Sequence, residues 1–364
     1  MEKPIVAGLF TCSSDRLSDE EKRLFARINP LGFTLFARNI RSRKQVQALI
    51  RELREITERK DLVIAVDQEG GRVRRLTEPE FRNYAAAADL GKIDRLQPSK
   101  NRGRIFYLHA ALIAQDLQDC GINCNYAPTL DLLYPQTTPA LKSRLIGSVP
   151  EETAAAAEIM LETYVRNGIC PCLKHMPGHG RAATDPHLGL PVIKASLDEL
   201  EADFYPFRRL RRAPMGMSAH VIIPEIDAHN PITQSPMAIK ELIRGRIGFE
   251  GLLVSDAIDM KALRGTYGEK TRRCLEAGCD AVCFYGADIA DLHDIADNCR
   301  PLSDQSLERF EKIRRIFRNP FQELDVPALE KEYQSLTGTI EPYREEYDST
   351  MVLQQMINNE TFGE

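Results

Sequence analysis

The densest chemistry in this chain is one short stretch, Lys174-His175-Met176-Pro177-Gly178-His179-Gly180 followed by Asp185-Pro186-His187, which holds three of the seven histidines. Its glycines and prolines make it a shaped loop rather than a helix. Asp185 and His187 stand two apart across a proline. The carboxylate can therefore hydrogen-bond one ring nitrogen and stabilise the imidazolium, which leaves the other nitrogen to give and take a proton. His175, His179 and His187 could also offer three nitrogens to a metal ion. Their spacing matches no metal motif with a mechanism, and the prolines and glycines prevent a helical i, i+4 pair, so no metal is expected.

Two further stretches carry polar groups at the ends of apolar runs. Asp67-Gln68-Glu69-Gly70-Gly71-Arg72-Val73-Arg74-Arg75 follows Leu62–Val66. An acid at a strand end, then paired glycines and arginines, makes a loop that can approach a polar ligand; a tight turn with solvated charges is the alternative. Ser255-Asp256 follows Leu252–Val254. A lone Asp at a strand end often caps the next helix. Beside a protonated histidine it is instead a plausible nucleophile.

These groups need elements to hold them. Short apolar runs at Val6–Phe10, Phe33–Ala37, Leu62–Val66, Ile122–Tyr126, Ile169–Leu173, Met215–Ala219, Leu252–Ser255 and Ala281–Tyr285 read as strands. Between them lie helical patterns such as Arg43–Lys60, Arg104–Cys120 and Glu151–Asn167. Eight strands alternating with helices predict an α/β fold, a (β/α)8 TIM-type barrel with possible irregularities. A doubly wound open sheet is the alternative, but no G-x-G-x-x-G follows the first strand. Barrel enzymes work just after the strand C-termini, where all three polar stretches fall. Past Pro320 no strand candidate remains. We expect a catalytic barrel over residues 1–320 and a helical extension over 321–364 packed on its exterior. Asn359-Glu360-Thr361 forms a glycosylation sequon that matters only on a secretory route.

Composition narrows the class further. Among 364 residues, 48 Lys and Arg face 53 Asp and Glu, a net charge of −5, so the basic excess of a nucleic-acid binder is missing. No apolar run approaches the roughly 18 residues of a membrane span. The N-terminal apolar stretch before Cys12 is too short for a lipoprotein signal, and Glu2 spoils its positive start. The nine cysteines form no C-x-x-C pair and read as buried thiols in a cytoplasmic protein.

Taken together, the motifs resemble glycoside hydrolase family 3, close to its single-domain bacterial β-N-acetylglucosaminidases (β-hexosaminidases) of peptidoglycan recycling. The family's V-D-Q-E-G-G-R-V-x-R matches Val66 to Arg75, and its K-H-F-P-G-H-G with D-S-H matches Lys174 to His187. An apolar pair, a basic residue, then a glycine, three hydrophobic residues and [S/T]-D match Leu242, Ile243, Arg244 and Gly251 to Asp256. The likeness spans about Val6 to Cys283. Departures are Met176 for a usual Phe, Pro186 for Ser, and Ala257 where many relatives carry a second Asp; none removes a reacting group. The resemblance implies Asp256 as nucleophile and His187 as acid/base with Asp185 as its partner. It implies Asp67, Arg75, Lys174 and His175 as sugar-binding residues. Arg144 resembles a further sugar-binding arginine, with a structural loop role as its alternative, while His179 is read as shaping the loop. The implied substrate is a small carbohydrate or muropeptide ending in β-linked N-acetylglucosamine, hydrolysed without a cofactor. A β-glucosidase of the same family and a non-catalytic sugar-binding barrel remain alternatives.

Overall fold

The computed structural model describes residues 3–319, 322–338 and 340. Eight parallel strands close in sequence order into a barrel: β1 (Val6–Phe10), β2 (Pro30–Leu35), β3 (Val63–Val66), β4 (Cys124–Asn125), β5 (Cys170–Met176), β6 (Met215–Ser218), β7 (Leu252–Ala257) and β8 (Ala281–Cys283). The seam is sealed where Gly8 and Leu9 pair with Val282 and Cys283. This is the predicted (β/α)8 architecture.

Side chains from non-adjacent strands meet through the barrel interior. Thr34 Oγ1 lies 2.7 Å from the Tyr126 hydroxyl, which lies 3.6 Å from Cys283 Sγ. Cys124 Sγ reaches Met215 Sδ at 3.9 Å. The core is thus a packed plug of aromatic and sulfur-bearing groups, and eight of the nine cysteines are buried and unpaired, with Cys299 half-buried. Cys12 is itself fully buried beyond β1.

Strand positions follow the sequence reading, and their ends differ for local reasons. β2 stops at Leu35 because the Asn39 side chain accepts from the Phe36 N–H, at 2.9 Å, and starts a turn. It begins at Pro30 because Asn29, at φ 50°, ends the preceding helix Asp19–Ile28 and feeds straight into the strand. β8 ends at Cys283, since the Tyr285 N–H turns away to the Asp259 carboxylate at 3.1 Å.

Helices Arg43–Thr57, Arg104–Cys120 and Pro150–Arg166 occupy the predicted segments. The helix Val326–Thr337 packs against Arg104–Cys120, with Arg104 paired to Glu332 at 2.6 Å and Tyr333 buried. The rest of the expected extension, from Glu341 onward and including the Asn359 sequon, lies outside the described residues. Among the described residues no helix is long and apolar enough to cross a membrane.

Candidate active site

All eight residues singled out from the sequence line one cavity of about 320 Å³ at the C-terminal ends of the strands. β3 delivers Asp67, β5 carries Lys174 and His175, and β7 carries Asp256. Asp185 and His187 reach in from the loop after β5, and Arg144 from the connection after β4.

Alternating charges build the floor. Lys174 Nζ donates to Asp67 at 2.8 Å and to Glu69 at 2.6 Å. Arg144 grips both Glu69 oxygens, at 2.8 and 2.9 Å, and Arg75 approaches Asp67 at 3.4 Å while lying over the Phe36 ring. Burial opposes the charged form of Glu69, but Arg144 and Lys174 outweigh it and hold this carboxyl well below the usual range. Burial likewise opposes the Lys174 cation, and Asp67 and Glu69 outweigh it. The result is a rigid set of donors and acceptors suited to the hydroxyl groups of a sugar. Glu69 lay inside a motif read from the sequence, yet its role in orienting Lys174 and Arg144 was not evident there.

A second acid that the sequence reading missed sets the geometry on β5. Past β4 the chain stays extended beside β5, with the Leu130 N–H donating to the Lys174 carbonyl at 2.8 Å, and this carries Asp131 next to His175. Asp131 is fully buried and accepts from His175 Nδ1 at 2.7 Å, from the His175 N–H at 3.3 Å and from the His179 N–H at 2.6 Å. A carboxylate only accepts, so Nδ1 carries the proton and His175 turns Nε2 toward Asp256 Oδ2, 4.0 Å away. The other Asp256 oxygen accepts the Ala257 N–H at 2.8 Å. Burial pushes the Asp256 carboxyl up, but His175, His220 and the Ala257 N–H together draw it below its ordinary value. Asp256 is thus ionised with one oxygen free of backbone bonds. It is not the helix cap that its position also allowed, since it lies within β7.

The Asp185 carboxylate accepts from His187 Nδ1 at 2.6 Å and from the His187 N–H at 2.9 Å. Burial raises this carboxyl, and the His187 bonds overcome it and bring it down to about 2. The loop is tied down on both sides. The Pro186 carbonyl accepts from the Ala262 N–H at 3.1 Å, and the Gly180 carbonyl accepts from the Thr137 hydroxyl at 2.6 Å. Position 180 must be glycine, because a Cβ there would sit 1.8 Å from the Leu132 carbonyl oxygen.

His179 packs edge-on against His175 with ring centroids 6.0 Å apart, and burial pulls it down to about 4. Among the described residues no group of three or more His, Cys, Asp or Glu side chains is arranged to hold a metal ion. Arg244 is structural: it donates to the Phe249 and Gly251 carbonyls and to Asp280, at 2.8 Å each, below β7.

Fold and cavity define a (β/α)8 barrel with a charged, polar site at the C-terminal ends of its strands. A model of the glycosyl hydrolase family 3 N-terminal domain matches residues 5–318, so the chain belongs to glycosyl hydrolase family 3 and is a glycoside hydrolase. It is similar to a β-hexosaminidase of Neisseria meningitidis serogroup C, at 32% identity over 93% of this chain and 86% of the relative. A β-hexosaminidase of Alkalilimnicola ehrlichii is 36% identical over 84% of this chain and 88% of its own length. Among solved structures, NagZ from Neisseria gonorrhoeae in complex with N-trifluoroacetyl-D-glucosamine superposes with a TM-score of 0.81 at 30% identity. That match covers 92% of this chain and 98% of the other.

Proposed function

We propose that this hydrolase is a retaining exo-β-N-acetylglucosaminidase acting on peptidoglycan fragments. The observation that carries the reading is the Asp185–His187 pair, 2.6 Å apart, sharing a cavity with the ionised Asp256. In the first step Asp256 Oδ2 attacks the anomeric carbon as the glycosidic C–O bond breaks. His187 Nε2–H passes its proton to the departing oxygen. In the second step neutral His187 takes a proton from water, whose oxygen attacks the anomeric carbon and displaces the Asp256 carboxylate. Two displacements retain the β configuration. Asp67, Arg75, Lys174, His175 and Arg144 hold the terminal sugar.

After proton transfer the group nearest the leaving oxygen is a neutral imidazole, with the Asp185 charge one ring further away, so an anionic leaving sugar is repelled less than by a carboxylate in its place. This suits the carboxylate-bearing anhydro-muramic acid moiety of a muropeptide. Relatives that carry the β-hexosaminidase name, and one solved with an N-acylated glucosamine, support a 2-acetamido sugar. In this reading residues 1–320 form the catalytic unit and 321–364 an extension. The setting is the cytoplasm, where nine unpaired thiols stay reduced.

The deciding experiment compares hydrolysis of aryl β-N-acetylglucosaminide and aryl β-glucoside by the pure protein. A strong preference for the acetamido sugar is expected. Equal rates would move the assignment to a β-glucosidase of the same family, and no turnover of either to a sugar-binding barrel.

A further inference from the structure

The extension beyond the barrel carries a buried hydroxyl that reaches the sugar-binding floor through one histidine. The Ala85 N–H donates to the Tyr333 hydroxyl oxygen at 3.0 Å, and that hydroxyl lies 3.1 Å from His109 Nδ1. His109 Nε2 lies 2.9 Å from the Glu69 carbonyl oxygen. A carbonyl only accepts, so Nε2 bears the ring proton. Burial pulls His109 down to about 4, so the ring is neutral near pH 7, and Nδ1 must accept from Tyr333. Every donor and acceptor in the chain is thereby used, in one direction. The contact is close: a Cβ at Gly70, where φ is +96°, would lie 2.9 Å from His109 Cε1 and 2.4 Å from the Ala85 carbonyl.

We propose that Tyr333 is a positioning residue of the active site. Through His109 it fixes the backbone at Glu69, whose carboxylate in turn orients Lys174 and Arg144 in the cavity. The helix Val326–Thr337 is then part of the working enzyme and not merely a cover on the barrel. The proposal rests on the sugar-binding role given above to Lys174 and Arg144.

The test is Tyr333→Phe in the full chain, which keeps the ring and removes only the hydroxyl. Two readouts are taken: steady-state kinetics on an aryl β-N-acetylglucosaminide, and amide hydrogen exchange by peptide. We expect KM to rise roughly three- to tenfold, the scale of one lost hydrogen bond, with kcat nearly unchanged. Exchange should quicken in the peptide covering Gln68–Arg75 and stay as in the parent across β7. Glu332→Gln, which weakens only the exposed pair with Arg104, should leave both readouts unmoved. His109→Ala breaks the same chain at its middle and should reproduce the local exchange change should Tyr333→Phe fold poorly. Unchanged KM with unchanged loop exchange overturns the proposal, and so does faster exchange spread evenly over the barrel, which marks a purely structural role. The exchange arm needs no substrate, so it stands apart from failure of the glucosaminidase reading, which would show as an inactive parent enzyme.

Discussion

Replacing Asp131 by Asn tests the arrangement on β5 most sharply. In the native site one Asp131 oxygen takes the His175 and His179 backbone N–H groups, at 3.3 and 2.6 Å, while the other takes the His175 Nδ1–H at 2.7 Å. Asparagine can keep its carbonyl on the two backbone groups only by aiming its NH2 at Nδ1. The ring can accept that hydrogen bond only with its proton on Nε2. The atom facing Asp256 Oδ2, 4.0 Å away, is thereby fixed as a donor, and a charge-assisted hydrogen bond becomes a neutral one. Hydrogen bonds to charged groups contribute about 1.5–3 kcal/mol and neutral ones about 0.5–1.5 kcal/mol, so the direct loss is on the order of 1–2 kcal/mol. A fixed Nε2–H donor beside Asp256 Oδ2 also makes that oxygen a weaker nucleophile, and kcat/KM should fall roughly 10- to 100-fold. Asp131→Ala strands two buried N–H groups and the imidazole together, at about 1–3 kcal/mol each, so its main effect is on stability.

The assay is kcat/KM on nitrophenyl β-N-acetylglucosaminide, paired with urea unfolding of each variant. Asparagine should be deficient in rate and lower in stability by only about 1–2 kcal/mol, and alanine deficient in both with the larger loss of stability. An asparagine variant with parental kcat/KM would refute the argument, because it would show that the His175 tautomer has no bearing on the reaction.

Asp256→Ala should abolish turnover of every glycoside, however reactive its leaving group, and residual activity on a nitrophenyl substrate would remove it as nucleophile. His187→Ala should still form the glycosyl-enzyme from a nitrophenyl glycoside, give a burst, and be accelerated by azide, while a sugar leaving group becomes almost inert; equal slowing of both without a burst would take the acid/base role from His187. Stability should depend on pH through the buried neutral histidines. His109 and His179, each pulled by burial to about 4, contribute fully above pH 6.5, and that contribution is lost as pH falls from about 6.5 toward 4. The two together set a slope approaching about 2–3 kcal/mol per pH unit, so urea midpoints that stay flat between pH 6.5 and 5 would contradict it.

Most of the barrel was legible because each strand is a short apolar run and each helix a periodic one. The site motifs were legible because their residues are neighbours in sequence and fall at strand ends. Asp185 and His187 are two positions apart, so their pairing could be read directly. Asp131 could not be read in this way. It is a lone acid in Thr129-Leu130-Asp131-Leu132-Leu133, and its partner His175 lies 44 positions away. Tyr333 is still further from its partner, 224 positions from His109. Local periodicity reports which face of an element is buried and carries nothing about which buried polar group meets which. The available signal was the expense of burying a charge: an acid amid leucines must have a partner, though the sequence does not say where.

The division between strand and loop also bears on the chemistry proposed. Asp256, Lys174 and His175 lie within barrel strands, at the register irregularities between Val254 and Ala257 and between Leu173 and Met176. Asp67 directly follows a strand, so paired backbone flanks each of these residues closely. Nucleophilic attack needs the anomeric carbon held within a few tenths of an ångström, and a strand in a closed barrel gives that precision. The leaving oxygen belongs to whatever sugar is attached, and its position varies with the aglycone. A proton donor on a loop can follow it, provided the donor keeps its own orientation. The Asp185 bonds to both Nδ1 and the His187 N–H supply that orientation within three consecutive residues, so the pair keeps its geometry without help from the strands. A carboxylic acid fixed on a strand would serve one aglycone geometry well, whereas a self-contained His–Asp pair on a tethered loop can serve several.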